Sequence, residues 1–596
     1  MSSSERRHTL GALFSILPPV FLLCRRGRSA TIPVERYPGK HPRNGGHTMG
    51  RHSEFTVLGQ PFFSVGGQTH NSSSYYPKDM ERSFASVRAL SGNTVSTPVC
   101  WDAFEPREGV FREDYVRGII DEARRWGMHL VLLWFGTWKN GTMEYTPAWV
   151  KLDRQRFPRA LCKDGTATAC LSPHSEANRR ADEAAFCRLL RVIRDYDGAV
   201  GTVLAVQVEN ESGMLAPTRR DFGPDGQRDF EAQVPAALLG WARSHPEGRL
   251  AGFWRAAGSR ESGSWAQVFG RYGAEACSAW HTARYIDSIA AAGKAVYDVF
   301  LYANVWMDGG ETPGGWDLGG LEYPCGGAVS KSLEVWYAAC QALDAIAPDN
   351  YAFEPGRHMF NNRAYANAAM GWPLFVPESH ANALNATLMF RAIGEWGAIG
   401  YHIFGCESVL DDAGALREQA QPMCRSMQML LGVAHLIQRH RTDGRMHALW
   451  QLAGQDSAHL ALDGWKCRVC YTGPGYGWNA MDFRHHEAIR QEGNLTTDLH
   501  GETGRGLLFQ VSQNEFYLVG HKLRLLFNRY EPEDGSISPL WLNASMQANS
   551  MGTLIVEEGS FVDGVYVPLR TRSGDEARHG VWAQADCGVI HFMLAD

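Results

Sequence analysis

Residues 202–213 read TVLAVQVENESG. The run from Thr202 to Val208 is β-branched or apolar apart from Gln207, as in a strand buried on both faces. It breaks abruptly into Glu209, Asn210, Glu211, Ser212 and Gly213. Carboxylates are costly in a core, so two of them ending an apolar strand require an explanation. A barrel of parallel strands supplies one, because its βα loops converge at the carboxyl ends of the strands and catalytic groups gather there.

Seven further strand-like runs lie on either side: Phe62 to Gly66, Thr94 to Val99, Leu130 to Phe135, Val299 to Val305, Tyr351 to Phe353, Leu374 to Val376 and Ala398 to Phe404. Segments of helical period separate them, including Lys78 to Leu90, Tyr115 to Trp126, Ser175 to Tyr196, Trp280 to Ala291, Lys331 to Ile346 and Ala383 to Trp396. Eight strand–helix repeats predict an α/β fold, a (β/α)8 TIM barrel with insertions. An open doubly wound sheet competes, but no GxGxxG follows the first run and no phosphate loop occurs. Beyond about residue 440 the helical period fades. Runs at Gly506 to Val511, Glu515 to Val519, Leu523 to Phe527, Thr553 to Val556 and Val589 to Met593 predict a smaller all-β domain, a β-sandwich. The expected organisation is a poorly ordered leader over 1–50, a catalytic barrel over 51–440 and a β-sandwich over 441–596.

At 596 residues the chain exceeds the size of a single core, and 44% hydrophobic with 20% charged residues is an ordinary folded composition. A net charge of −6 without a long basic run argues against a nucleic-acid partner. Aromatic residues make up 11%, and their flat faces suit sugar rings as well as cores. Thirteen cysteines are an odd, scattered set. Cys467 and Cys470 have CxxC spacing but lack a second pair or a nearby His cluster in sequence, so no metal and no cofactor is expected. The apolar stretch Leu10 to Cys24 is broken by Pro18 and Pro19 and is too short for a stable membrane span. It reads as a signal peptide with a poor cleavage site at Arg28 and Ala30, or as an unstructured leader with Met49 as the start. The chain is secreted in the first case and cytoplasmic in the second. Sequons at Asn71, Asn140, Asn385, Asn494 and Asn543 do not decide, since another falls at Asn210 among the strand-end acids.

A second strand end delivers an acid: Pro373 to Val376 is followed by Pro377, Glu378, Ser379 and His380. Two facing carboxylates are the equipment of glycoside hydrolysis. The segment QVENES resembles the signature of clan A glycoside hydrolases, especially the β-galactosidase families 35 and 42. That resemblance implies Glu211 as general acid/base, Asn210 as holder of the sugar 2-hydroxyl, and Glu378 in FVPE as nucleophile. The stretch VCWDAFEPREGVF is similar to a segment of the same families and implies Trp101, Asp102 and Glu105 as pocket residues. The opening GQPFFSVGGQTHNSSS resembles their first strand, and the tail resembles the β-sandwich of a microbial and fungal branch. The chain departs from the pattern at Ser212, where an aromatic is usual, and at Phe104, where His is common. Both positions bear on the sugar more than on the acids.

Other strand-end residues complete the candidate set. Glu209 competes with Glu211 and Glu354 competes with Glu378, Glu354 otherwise serving in substrate positioning. His70 and Asn71 end the first run, Trp138 and Asn140 follow the third, Trp306 follows the fifth and His402 lies in the eighth; each is set against an ordinary structural role. The expected reaction is retaining, exo-acting cleavage of terminal β-linked sugars, β-galactosidase-like, with a carbohydrate as partner and the oligomeric state open. The alternatives are a β-glycosidase or endo-β-glycanase of other specificity, and a non-catalytic carbohydrate-binding barrel.

Overall fold

The computed structural model describes residues 51–308, 319–367, 371–455, 457–471, 502–529, 552–578 and 580–595. The described residues, from Arg51 on, form one compact unit. The expected leader, Met49 and the sequons at Asn494 and Asn543 lie outside the described residues.

The first half is a (β/α)8 barrel. Seven parallel strands pair side by side in the order Ala345–Asp349, Phe300–Trp306, Val203–Val208, His129–Phe135, Thr94–Cys100, Ser64–Gln68 and Gly400–Phe404. The segment 374–378 takes the remaining place. Val376 bridges Tyr401 on one side and Glu378 bridges Asp349 on the other, through bonds such as His402 N to Val376 O (2.8 Å) and Asn350 N to Glu378 O (2.8 Å). These bonds join both edges of the sheet and close the ring. The strands read as continuous apolar runs because both faces are covered: Leu130 to Phe135 are all fully buried. At the amino-terminal end, Phe55 on the hairpin Phe55–Val57/Gln60–Phe62 packs edge-on against Phe300 (4.8 Å) and Phe375 (5.0 Å).

Local signals set the helix ends. Ser175 accepts the Asn178 N–H at the start of Glu176–Asp197, Asn382 accepts that of Asn385 at the start of Ala383–Trp396, and Gly397 ends the latter at φ +61°. One expectation needs correction. The sixth strand is Ala345–Asp349, not Tyr351 to Phe353, and the preceding helix is only Leu333–Ala339, not Lys331 to Ile346. The sequence AIAPD is short, alanine-rich and interrupted by Pro348, none of which reads as a strand. Burial within the closed ring outweighs that weak local preference.

From Met446 onward the described residues form two antiparallel sheets. One has six strands in the order Met446–Trp450, Arg505–Gln510, Glu515–His521, Val589–Leu594, Thr553–Val562, Val565–Thr571. The other has four: Ser457–Leu462, Trp465–Cys470, Leu523–Arg529, Val581–Ala583. Alternation decides the layering. Leu508, Phe516, Leu518 and Phe592 face Trp465, Leu525 and Phe527 of the second sheet, whereas Leu507, Phe509 and Val519 turn to the barrel core. The β-sandwich is thus glued to the barrel through the back of its larger sheet. The approach is close at Gly394, where a Cβ would lie 2.8–2.9 Å from Ala448. Buried Arg505 crosses the seam to Ser426 Oγ (2.7 Å) and Pro422 O (3.1 Å). Cys467 and Cys470 are buried, unpaired strand residues. Among the described residues no helix is long and apolar enough to cross a membrane.

Candidate active site

The turn after Val203–Val208 carries two acids in opposite roles. Glu209 (φ +65°) and Glu211 (φ +45°) both adopt left-handed backbone, unusual without glycine. That contortion turns Glu209 back into the protein, where its oxygens accept the N–H groups of Thr137 (3.1 Å) and Trp138 (2.7 Å). It lies beside Asp182, which accepts from Trp134 Nε1 (2.8 Å) and Thr137 Oγ1 (2.6 Å). Burial, together with the Asp182 charge, holds the Glu209 carboxyl well above its ordinary value. Glu211 faces the other way, into a pocket of ≈ 570 Å³ at the carboxyl ends of the strands. Its backbone N–H donates to Asn304 Oδ1 (2.9 Å), and Asn304 Nδ2 donates to Asp349 Oδ2 (2.8 Å).

Glu378 reaches the same pocket from segment 374–378. Its oxygens accept from Gln68 Nε2 (2.7 Å) and Tyr351 Oη (2.6 Å). One carboxylate oxygen each from Glu211, Asp349 and Glu378 lie within 4.8 Å of one another. Burial first, and then the neighbouring Glu378 charge, push the Glu211 carboxyl up to about 7 against the pull of Lys139 and a hydrogen bond with Asp349. Asp349, buried and between two acids, is raised well above the usual range by that burial and then by the charges of Glu378 and Glu211.

Asn71, Asn140 and Trp306 line the pocket together with Lys139, Tyr351, Arg357, Asn361 and Phe404. Asn210 is fully buried behind it, its Oδ1 accepting from Lys139 Nζ (2.8 Å). The other sequence candidates lie outside the lining. Trp101 is buried and donates to Glu105 Oε2 (2.8 Å), while Glu105 also accepts the Gly109 N–H (2.7 Å), so the pair fastens the loop after the second strand. Asp102 accepts from Tyr75 (2.8 Å). The Trp138 ring is buried edge-on against Tyr285 (4.9 Å). The fully buried ring of His402 bridges Ser64 and Ser96, each at 2.8 Å, inside the barrel. His70 is exposed and meets Ser408 (3.0 Å), and Glu354 is exposed ahead of helix Pro355–Tyr365. Sequence reading missed Gln68, Lys139, Asn304, Asp349 and Tyr351. Asp349 and Gln68 end strands, where the strand-end rule applies, but AIAPD does not read as a strand and a single neutral amide at a strand end carries no distinct chemical signal.

Fold and site together define a (β/α)8 barrel with buried, clustered carboxylates at its carboxyl face and an appended β-sandwich. A family model described as "Domain of unknown function (DUF5597)" matches residues 423–584. No curated protein sequence matches the chain. Similar solved structures include the catalytic domain of a beta-amylase from Paenibacillus polymyxa, 12% identical over 61% of this chain and 97% of that one, TM-score 0.44. A beta-galactosidase from the Antarctic haloarchaeon Halorubrum lacusprofundi is 16% identical over 62% of this chain and 58% of its own, TM-score 0.41. An exo-beta-1,4-mannosidase from Opitutaceae bacterium strain TAV5 is 15% identical over 66% and 63%, TM-score 0.39. The chain therefore spans less than two thirds of the galactosidase and mannosidase chains it resembles. Likenesses this distant assign it no substrate.

Proposed function

We propose that the protein is a retaining glycoside hydrolase that releases terminal β-linked sugars, β-galactosidase-like in its machinery. The observation carrying this reading is the shared pocket of Glu211 and Glu378, with one carboxylate oxygen of each within 4.8 Å of the other. Retention uses carboxyl groups about 5–5.5 Å apart, whereas inversion needs about 6.5–9.5 Å to admit a water between them.

The chemistry follows from the surroundings. Glu378, oriented by the Gln68 amide and Tyr351 hydroxyl, attacks the anomeric carbon and forms an ester to it. As the glycosidic C–O bond breaks, Glu211 gives its proton to the departing oxygen. Esterification removes the Glu378 charge, and with it one of the two influences that raise Glu211. Glu211 thereby becomes the stronger acid when it must exist as a base. It then takes a proton from water, whose oxygen attacks the anomeric carbon and expels Glu378. Trp306 and Phe404 offer apolar faces to the sugar ring, and Asn71, Asn140, Arg357 and Asn361 offer polar groups to its hydroxyls. The sequence resemblance implies Asn210 as holder of the 2-hydroxyl; its side chain is fully buried behind the lining, so that contact would fall to its Nδ2, which has no hydrogen-bond partner among the described residues.

The test is Glu378→Gly against aryl β-galactoside, β-glucoside and β-mannoside. Hydrolysis should be lost, and added azide should restore leaving-group release with an α-glycosyl azide as product. Turnover that persists without azide refutes the nucleophile. Binding of sugars by the wild type without turnover of any glycoside would favour a carbohydrate-binding barrel instead.

A further inference from the structure

A second cluster of ligand-type side chains lies outside the carboxylate pocket. His174 lies just ahead of Ser175, the N-cap of helix Glu176–Asp197, Asp229 lies on helix Pro224–Glu231 in the insertion after the fourth strand, and His281 lies on helix Gly273–Val296. Three segments distant in sequence thus bring two imidazoles to one carboxylate. His174 Nδ1 is 2.9 Å from Asp229 Oδ2, and His281 Nδ1 is 3.7 Å from the same oxygen. One donor atom from each of the three residues falls within 4.8 Å of the other two, and the imidazole rings sit 4.4 Å apart at 40°.

From this geometry we infer a binding site for a divalent transition metal of the zinc class, held by His174, Asp229 and His281. The hydrogen bonding does not account for the arrangement by itself. His174 is satisfied by Asp229, but the His281 side chain is only 25% exposed, points its Nδ1 at a carboxylate oxygen beyond hydrogen-bond reach, and its ring makes no hydrogen bond among the described residues. Zinc bonds of about 2.0–2.2 Å place tetrahedral donors roughly 3.3 Å apart, so shifts of up to about 1 Å bring all three onto one ion. Two neutral imidazoles and a carboxylate suit such a metal and leave a position for water, reached along the exposed edge of His281. The outer shell is in place as well: the other oxygen of Asp229 takes the Arg228 guanidinium at 3.1 Å, which fixes the carboxylate. None of the three ligands lines the pocket of Glu211 and Glu378. The bound ion would pin the insertion helix to the barrel helices, a structural role independent of the hydrolase reading.

The experiment uses chelator-stripped full-length protein, titrated with Zn²⁺ by calorimetry and followed by thermal shift, with Co²⁺ absorption as a direct report on the ligands. One equivalent should bind and raise the melting temperature. The Co²⁺ spectrum should show imidazole and oxygen ligation without thiolate charge transfer. Affinity should fall by at least about 100-fold in His281→Ala and His281→Gln and stay unchanged in Glu211→Gln. Because the His281 ring makes no hydrogen bond among the described residues, the metal-free variants should keep the circular dichroism and melting temperature of the metal-free wild type. The proposal is overturned if no stoichiometric binding occurs, if His281 variants bind as tightly as the wild type, or if the spectrum reports thiolates.

Discussion

Replacing Glu378 by Gln removes one negative charge from the pocket while keeping the side-chain volume and a carbonyl oxygen for the Gln68 amide. With the nearest oxygens of Glu211 and Glu378 within 4.8 Å, an effective dielectric of about 20 gives a repulsion of roughly 3.5 kcal/mol, or ~2.5 pKa units. Burial is the larger cause of the elevation and is unchanged, as are the opposing Lys139 and Asp349 influences. Glu211 should therefore fall from about 7 by about 1 to 2.5 units, ending at or above an ordinary glutamate. Infrared or carbon-13 difference titration of Glu378→Gln against Glu378→Gln/Glu211→Gln isolates that one carboxyl. In the wild type, the same group should set an alkaline limb near 7 in kcat/KM. A Glu211 value in the variant within about half a unit of the wild type would refute the argument, because the nucleophile's charge would then not be what primes the acid.

Tyr351→Phe removes the hydroxyl donated to Glu378 at 2.6 Å; hydrogen bonds to charged groups are worth about 1.5–3 kcal/mol, so kcat/KM should drop about 10- to 100-fold. Steady-state kinetics check this, and a loss below about threefold contradicts it. Glu211→Gln should alter the pH dependence of stability. Glu211 binds its proton more tightly folded, at about 7 against 4.5, so the wild type loses stability as pH rises through that window and the variant does not. The variant's stability relative to the wild type should rise by about 3 kcal/mol between about pH 4 and pH 8 in urea unfolding. Gly136→Ala would place a Cβ 2.3 Å from Trp134 Nε1, 2.6 Å from Glu209 Oε1 and 2.8 Å from Asp182 Oδ1. It should destabilise by about 1–3 kcal/mol in calorimetry and lower activity by loosening the turn that aims Glu211.

The sequence alone determined what depends on nearest neighbours along the chain. The apolar run ending in ENES set a strand and its acids at 203–211, Asn382 and Gly397 set both ends of one helix, and the turn-separated runs beyond residue 440 announced antiparallel sheets. Glu211 and Glu378 were legible as candidates because a buried apolar run that ends in a carboxylate is conspicuous in one dimension, while the choice of Glu211 over Glu209 came from the resemblance. The tertiary structure decided everything that requires the ring to close. Only closure brings Gln68, Asp349, Tyr351 and Glu378 around Glu211, and only the left-handed backbone at residues 209 and 211 turns one acid inward and the other to the pocket. The sixth strand shows the same division: AIAPD has no local preference to declare, yet it lies between Phe300–Trp306 and segment 374–378 because that place in the barrel buries it on both sides. His174, Asp229 and His281, spread over more than one hundred positions, meet for a like reason: the packing of two helices against the turn that leads into a third, which no spacing rule encodes, sets their separation.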